Sequence, residues 1–164
     1  MIRNATPADA ARIAEIYRYY VENTTISFEA VPPDTAEMQA RIETYTQHYP
    51  YIVYEENGIV VGYCYGSRFR ERKAYDPSVE LSVYLHKDCC GKGYGRVLVQ
   101  ELLERLRQEG YYTVISTIVA DNGQSRKLFE SMGFQLIGIY KNIGRKFDRW
   151  LDLAEYALPL RPYE

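Results

Sequence analysis

Apolar residues follow two different spacings along the chain, one typical of helices and one typical of strands. Helical spacing begins after Thr6-Pro7-Ala8-Asp9, which offers a Thr cap, Pro at the first helical position and an acidic residue three positions after the cap. Asp34 is placed to cap a second helix ending near Pro50, and two further helices are predicted over Gly93–Glu109 and Asn122–Met132. The apolar positions of the first and third helices are Ile13, Ile16, Tyr17, Tyr20 and Val21, and Leu98, Val99, Leu102, Leu103 and Leu106.

The other apolar runs predict strands separated by turn residues. These strands cover Met1–Ala5, Tyr51–Tyr54, Ile59–Phe69, Val79–His86, Tyr112–Val119, Phe134–Tyr140 and Phe147–Leu158. Asn57-Gly58 is typical of a tight hairpin turn, and the strand–helix–strand unit from Val79 to Val119 predicts one parallel crossover. We therefore expect a mixed α/β (α+β) fold, in which helices flank a mostly antiparallel sheet with one parallel β-α-β crossover.

Composition narrows the function only a little. The 164 residues suffice for a single domain over 1–164, and no repeat or linker divides them. A net charge of -2 gives no overall attraction to nucleic acid or to an anionic membrane, so we expect neither partner. The first residues lack the apolar stretch of a secretory signal, and no apolar run approaches the roughly 20 residues of a membrane span, so we expect a cytoplasmic protein. Three cysteines and two histidines form no zinc pattern, and we predict no metal.

The segment Cys90–Arg96 is the most informative part of the chain. It follows a predicted strand, opens a predicted helix and carries three glycines. Free backbone N–H groups and the positive end of the helix dipole favour a bound diphosphate there, and Lys92 and Arg96 add positive charge. The glycine spacing excludes a dinucleotide fingerprint because Arg96 stands where the third glycine is needed, and no Gly-Lys-Ser/Thr occurs for a Walker A loop. A glycine-rich turn without a ligand remains the alternative.

This segment resembles the acetyl-CoA signature of GNAT-superfamily N-acetyltransferases, whose usual form is Gln/Arg-x-x-Gly-x-Gly/Ala. Gly93 and Gly95 match the glycines, whereas Cys90 stands where Gln or Arg is usual. Asn122–Phe134 is similar to the second cofactor motif of the same family. The resemblance implies the fold of that family, acetyl-CoA as co-substrate, and a homodimer.

Three more segments resemble the phosphinothricin/methionine sulfone acetyltransferase branch of this family. They are Ser27–Glu29, Ala74–Tyr84 and Gly144–Asp152. The resemblance implies direct transfer of acetyl from acetyl-CoA to the α-amine of a small amino-acid analogue in a ternary complex. Two alternatives stay open: a GNAT enzyme for another amine, such as a polyamine, an aminoglycoside or a protein N-terminus, or an acetyl-CoA-binding module without catalysis.

Glu80 is the candidate catalytic residue. Successive side chains of a strand point to opposite faces of the sheet, and in this strand one face is apolar. Glu80 lies on the other face, with Ser82, Tyr84 and His86. The resemblance implies that a Glu here removes the proton of the acceptor amine, directly or through water. A solvated carboxylate or an ion-pair partner is the alternative for a charged residue on a strand.

The resemblance also implies a set of acetyl-CoA contacts. They are the backbone of Val83, Tyr84 and Leu85 along the pantetheine arm, the loop residues Gly91, Lys92, Gly93, Tyr94, Gly95 and Arg96, and Asn122. Asn122 suits a helix cap equally well. Phe129 stands where many relatives carry a Tyr that protonates the CoA thiolate, so this thiolate leaves unassisted, or water or another tyrosine serves.

The loop before Glu80 supplies candidates for acceptor binding. The guanidinium groups of Arg70 and Arg72 suit a carboxylate or phosphinate, although a surface charge run from Arg68 to Lys73 is the alternative. Tyr75 lies on the same loop and is a further candidate, and the resemblance implies Phe28, Lys146 and Trp150 as residues of the acceptor pocket.

Overall fold

The computed structural model describes residues 1–164 as one mixed sheet with helices on both faces. The elements are β1 (Ile2–Asn4), α1 (Ala10–Asn23), α2 (Thr35–Thr46), β2 (Tyr51–Glu56), β3 (Ile59–Arg68), β4 (Ser78–Leu85), α3 (Tyr94–Gln108), β5 (Thr113–Val119), α4 (Gly123–Ser131), β6 (Gln135–Lys146) and β7 (Arg149–Pro159). The strand order is β1-β2-β3-β4-β5-β7-β6, and every neighbouring pair is antiparallel except β4 and β5. The predicted fold class is confirmed. None of the helices combines the length and apolar character needed to cross a membrane.

The helix starts follow the predicted caps. The Asp34 carboxylate accepts a hydrogen bond from the Glu37 N–H at 2.8 Å, and a 3₁₀ turn over Pro7–Asp9 precedes α1. The second helix ends at Thr46, earlier than the predicted end near Pro50. A proline disfavours helical backbone at the residue before it, and the chain turns there instead.

Two hairpins show how local sequence sets the sheet. Asn57 and Gly58 both adopt positive φ, at 53° and 79°, which confirms the tight turn between β2 and β3. Phe147 and Asp148, at 50° and 56°, form a similar turn between β6 and β7. Because Phe147 is not a usual turn former, the sequence pattern placed it at the start of a strand, and β7 begins two residues later.

The core lies on both faces of the sheet. One apolar cluster joins the sheet to α3 and α4, and includes Val79 and Leu81 of β4. The second joins the sheet to α1 and α2, and Tyr84 packs against it. The two faces of β4 are therefore those predicted from its alternating residues.

The sheet opens at its centre. β4 and β5 are paired only at Ser78–Thr113, Val79–Val114 and Glu80–Ile115. Beyond these pairs β4 continues along β3 as far as Leu85, whereas β5 continues along β7 as far as Val119. The diverging strands leave a cleft that begins beside Glu80.

Candidate active site

A cleft lined by the end of β4, the loop before α3 and the starts of α3 and α4 has a volume of about 270 Å³. A smaller cavity of about 50 Å³ adjoins it between β4 and residues 116–119 of β5. Eight of the ten predicted cofactor contacts line the larger cleft, namely Val83, Tyr84, Leu85, Gly91, Gly93, Gly95, Arg96 and Asn122. The structure thus brings together residues from a strand, a loop and the starts of two helices.

The glycine loop forms a cradle at one end of the cleft. Gly91 and Gly93 have φ values of +78° and +86°, and no atom lies within 4 Å of the position a Cβ would take on either. Gly93 precedes α3 directly, so the first N–H groups of this helix lack helical partners. Arg96 lies beside them on the first turn, where it donates a hydrogen bond to the Ser131 hydroxyl of α4. The loop therefore presents backbone donors and one cationic side chain to an anion.

The side chains of Lys92 and Tyr94 turn away from the cleft. The Lys92 ammonium lies 4.0 Å from the Glu56 carboxylate, and the Tyr94 hydroxyl donates a hydrogen bond to the same carboxylate. The Tyr94 ring stacks on Tyr54 with centroids 4.5 Å apart. In this arrangement both residues present their backbone, and not their side chains, to the cleft.

The backbone of β4 faces the cleft at alternate residues. The His86 N–H donates to the Val61 carbonyl of β3, so the backbone groups of Tyr84 also point toward β3 and those of Val83 and Leu85 toward the cleft. The Leu85 carbonyl accepts a hydrogen bond from the Tyr20 hydroxyl at 2.5 Å. Free N–H groups of Val83 and Leu85 are thereby available for pairing with an amide-bearing ligand.

Glu80 lies where the two strands part. Its carboxylate accepts one hydrogen bond, from the Thr117 hydroxyl of β5 at 3.0 Å. Burial raises the pKa of Glu80, the Thr117 hydrogen bond opposes this shift, and the negative charge of Glu155 adds to it. A carboxylate with a raised pKa in a cleft is suited to accepting a proton from a substrate.

The loop before β4 places Arg70 and Tyr75 together. The Arg70 guanidinium lies 4.8 Å from the Phe69 ring centroid and 5.4 Å from that of Tyr75, and it donates to the Tyr75 hydroxyl at 3.4 Å. Arg72 is exposed. Of the two arginines, Arg70 is therefore the one with a fixed orientation.

The loop between α1 and α2 is anchored on both sides. The Arg41 guanidinium donates to both Glu29 oxygens, at 2.6 and 2.9 Å, and the Lys146 ammonium donates to the Ser27 carbonyl at 2.7 Å. The ring of Phe28 lies against Gly144, where an added Cβ would come within 2.6 Å of it. Phe28 therefore lies against β6.

Several lining residues were not among the predicted ones. They are Tyr20, Ile26, Cys90, Gln124, Ser125 and Leu128. The Asn122 side-chain oxygen Oδ1 accepts from the Ser125 N–H at 3.3 Å as a helix cap. Ser125 and Leu128 follow Asn122 at spacings of three, so helical periodicity could have found them. Tyr20 and Ile26 come from elements far away in the chain, and no local signal marks them.

Residues 2–154 match the family described as acetyltransferase (GNAT) domain. The chain belongs to the GNAT acetyltransferase family. Its relatives include the phosphinothricin N-acetyltransferase of Alcaligenes faecalis, 36% identical over 97% of this chain and 82% of the relative. The L-methionine sulfoximine/L-methionine sulfone acetyltransferase of Pseudomonas aeruginosa is 38% identical over 98% of this chain and 95% of the relative.

A solved GNAT structure is similar over nearly the whole chain. It is a phosphinothricin acetyltransferase from Sinorhizobium meliloti in complex with acetyl-CoA, with a TM-score of 0.94 and 42% identity over 97% of this chain and 87% of that one. The present GNAT chain is accordingly an acetyl-CoA-dependent N-acetyltransferase.

The open cradle of this GNAT chain fits acetyl-CoA. Gly91 and Gly93 leave room for a diphosphate against the backbone, and the unpaired edge of β4 suits the amides of a pantetheine arm. Acetyl-CoA supplies the acetyl group as a thioester, which an uncharged amine can attack. Phe129 is 2% exposed, packs on Phe134 at 4.9 Å and offers no proton for the thiol.

Proposed function

We propose that this enzyme acetylates the α-amine of a small amino acid or analogue of the phosphinothricin, methionine sulfone or methionine sulfoximine type. The proposal rests on the position of Glu80, a half-buried carboxylate at the fork where β4 and β5 part. The relatives named for such acceptors share nearly the full length of the chain, which supports this substrate class. We also propose that residues 1–164 form one N-acetyltransferase domain.

In this proposal Glu80 is the general base. An ammonium group has no lone pair, so its nitrogen must lose a proton before it can attack the thioester carbon. Glu80 takes that proton, directly or through one water, and releases it to solvent after transfer. One backbone N–H group on the open edge of β4, that of Val83 or that of Leu85, donates to the thioester oxygen, on which negative charge develops.

In this proposal the acceptor is held by a cationic side chain of the loop before β4 and by an aromatic side chain. Arg70, oriented by Tyr75, is suited to the acceptor carboxylate or phosphinate, and Arg72 is the second candidate. Phe28 packs on the aliphatic part of the acceptor. Cationic acceptors such as polyamines carry no anionic group that could pair with the Arg70 guanidinium, so this arrangement disfavours them.

We further propose that the enzyme is a cytoplasmic homodimer. The hairpin of β6 and β7 carries large apolar side chains in solvent, including Ile137 at 62%, Ile143 at 57% and Trp150 at 63% exposure. A second copy covering this hairpin would remove that surface from water. Light scattering should give the mass of a dimer for the wild type and of a monomer for Ile137→Glu. A wild-type monomer at micromolar concentration would contradict the dimer.

An amine panel tests the proposed function. Release of the CoA thiol is measured with acetyl-CoA and each of phosphinothricin, methionine sulfone, spermidine and a short peptide. We expect turnover with the first two and none with spermidine or the peptide. Faster turnover of spermidine or of the peptide would show that the enzyme acts on another class of acceptor. Binding of acetyl-CoA without release by any amine would favour the non-catalytic module.

A further inference from the structure

We propose that Thr117 is a positioning residue for Glu80, and that its hydroxyl orients the carboxylate by holding one of its two oxygens. This inference rests on the proposed role of Glu80 as the base. It adds to that role a residue of β5, on the other side of the cleft.

The hydrogen bond between these side chains spans a gap in the sheet. Backbone pairing of β4 with β5 ends at Glu80 and Ile115, so Thr117, two residues further along β5, has no backbone partner on β4. Its hydroxyl nevertheless reaches the Glu80 Oε1 at 3.0 Å, which is the one hydrogen bond made by the Glu80 side chain. Oε1 is therefore occupied, and Oε2 is the oxygen left for the acceptor amine.

The surroundings of Glu80 otherwise favour its neutral acid. Glu155 of β7, the cross-strand partner of Thr117, faces it with a second negative charge and accepts a hydrogen bond from the Tyr140 hydroxyl of β6 at 3.1 Å. Tyr65 of β3 faces it with a phenol whose pKa is raised well above the usual range by burial. Burial and Glu155 both raise the pKa of Glu80, whereas the Thr117 hydroxyl is the group that lowers it.

The proton transfer can be written with this arrangement in place. An N–H proton of the acceptor ammonium passes to Glu80 Oε2, and the nitrogen keeps the electron pair of that bond. The Thr117 hydroxyl keeps its own proton and remains bonded to Oε1. Glu80 later gives the transferred proton to solvent, which restores the carboxylate for the next acceptor.

Threonine also favours strands for reasons unrelated to catalysis, because β-branched residues suit them. Thr117→Val keeps the branched shape and the strand preference but lacks the hydroxyl. Thr117→Ser keeps the hydroxyl and loses a methyl group. These two variants therefore separate a hydrogen-bonding role from a packing role.

The first test is the pH dependence of kcat/KM. In Thr117→Val we expect the acidic limb to move to higher pH by about 1 unit, as expected for a lost hydrogen bond to a charged group. Thr117→Ser should restore the wild-type profile, and the dissociation constant of acetyl-CoA should be the same in all three proteins. The proposal would be overturned if the pH profile of Thr117→Val superimposed on that of the wild type. It would also be overturned if the profile of Thr117→Ser were displaced as far as that of Thr117→Val.

The second test needs no turnover. Glutamate labelled with ¹³C at the side-chain carboxyl gives one NMR signal per residue, and the Glu80 signal is the one missing in Glu80→Gln. Its titration midpoint should rise in Thr117→Val and return in Thr117→Ser; an unchanged midpoint would refute the role of Thr117. If the valine variant does not fold, Thr117→Ala replaces it. If the proposed acceptor class is wrong, the wild type will not turn over these acceptors, but the NMR titration midpoint of Glu80 will still rise in Thr117→Val.

Discussion

Glu80 and Ile115 form the last residue pair between β4 and β5 before the two strands separate. Glu80 is also paired on its other side, with Ser67 of β3. Its backbone is therefore fixed by two neighbouring strands, while its carboxylate lies at the mouth of the cleft. A group that must meet a substrate with little reorganisation benefits from such a fixed position.

Replacing this carboxylate should abolish most of the turnover. In Glu80→Gln we expect kcat to fall by about 10²–10⁴-fold, because the amide cannot accept the ammonium proton. The dissociation constant of acetyl-CoA, measured by calorimetry, should stay near that of the wild type. Glu104→Gln, an exposed change on α3, serves as the control. Undiminished turnover at neutral pH would remove Glu80 from the mechanism.

The same variant should melt at a higher temperature than the wild type at pH 7. The pKa of Glu80 is raised in the folded protein, so the folded state favours the neutral acid and the ionised form costs stability above this pKa. Glutamine is neutral at every pH and can still accept from Thr117. Melting curves should therefore differ most near neutrality and converge toward pH 4. A difference in melting temperature between variant and wild type that grows as the pH falls would contradict this prediction.

Gly95→Ala should separate folding from cofactor binding. A Cβ at Gly95 would lie 3.6 Å from Leu128 and 3.7 Å from Leu85, which are ordinary contacts, and alanine favours a helix by up to about 1 kcal/mol. The methyl group would nevertheless enter the cleft, so we expect the Kd of acetyl-CoA to rise about 10-fold or more without loss of Tm.

A matched control for this change is Gly123→Ala, at the first position of α4. Nothing lies within 4 Å of its Cβ position, and the residue does not line the cleft. Its affinity for acetyl-CoA should equal that of the wild type. Equal affinities for both alanine variants would argue against a ligand pressed against Gly95.

Arg41→Ala should raise the KM of the acceptor amine and leave the KM of acetyl-CoA unchanged. Its two hydrogen bonds to Glu29 anchor the loop that carries Phe28, and the Arg41 guanidinium holds the pKa of Glu29 below its usual range. Without this anchor we expect the KM of the acceptor to rise about 10-fold, because part of the binding energy is then used to order the loop.

Steady-state kinetics with each substrate varied in turn checks this prediction. Arg18→Ala is the matched control, since Arg18 pairs only weakly with Glu22 on the exposed face of α1, at 4.0 Å. A change in the KM of acetyl-CoA as large as that of the acceptor would show that Arg41 supports the whole domain instead of one loop.

Local sequence was enough to predict the parts of the site that depend on neighbouring residues. The faces of β4, the cap at Asn122 and the cradle glycines each follow from a short stretch of chain with one favoured geometry. The expected order of strands and helices holds for the same reason.

Contacts between distant segments could not be predicted in this way. Thr117 meets Glu80 only because the register of β5 and the parting of the sheet bring them together. Lys92 and Tyr94 seemed well placed for an anion, yet their side chains find the Glu56 carboxylate of β2. No pattern within the loop could show that a competing carboxylate lies beside it.

The parted strands leave unpaired backbone groups in the middle of the sheet, where most proteins are fully bonded. Strand pairing between the half containing β1 to β4 and the half containing β5 to β7 is limited to three residue pairs. We expect the resting enzyme to have a line of weakness along Val83 and Leu85, and amide hydrogens there to exchange quickly with solvent. Saturation with acetyl-CoA should slow that exchange, so that each catalytic cycle forms and then breaks hydrogen bonds between the cofactor and the open edge of β4.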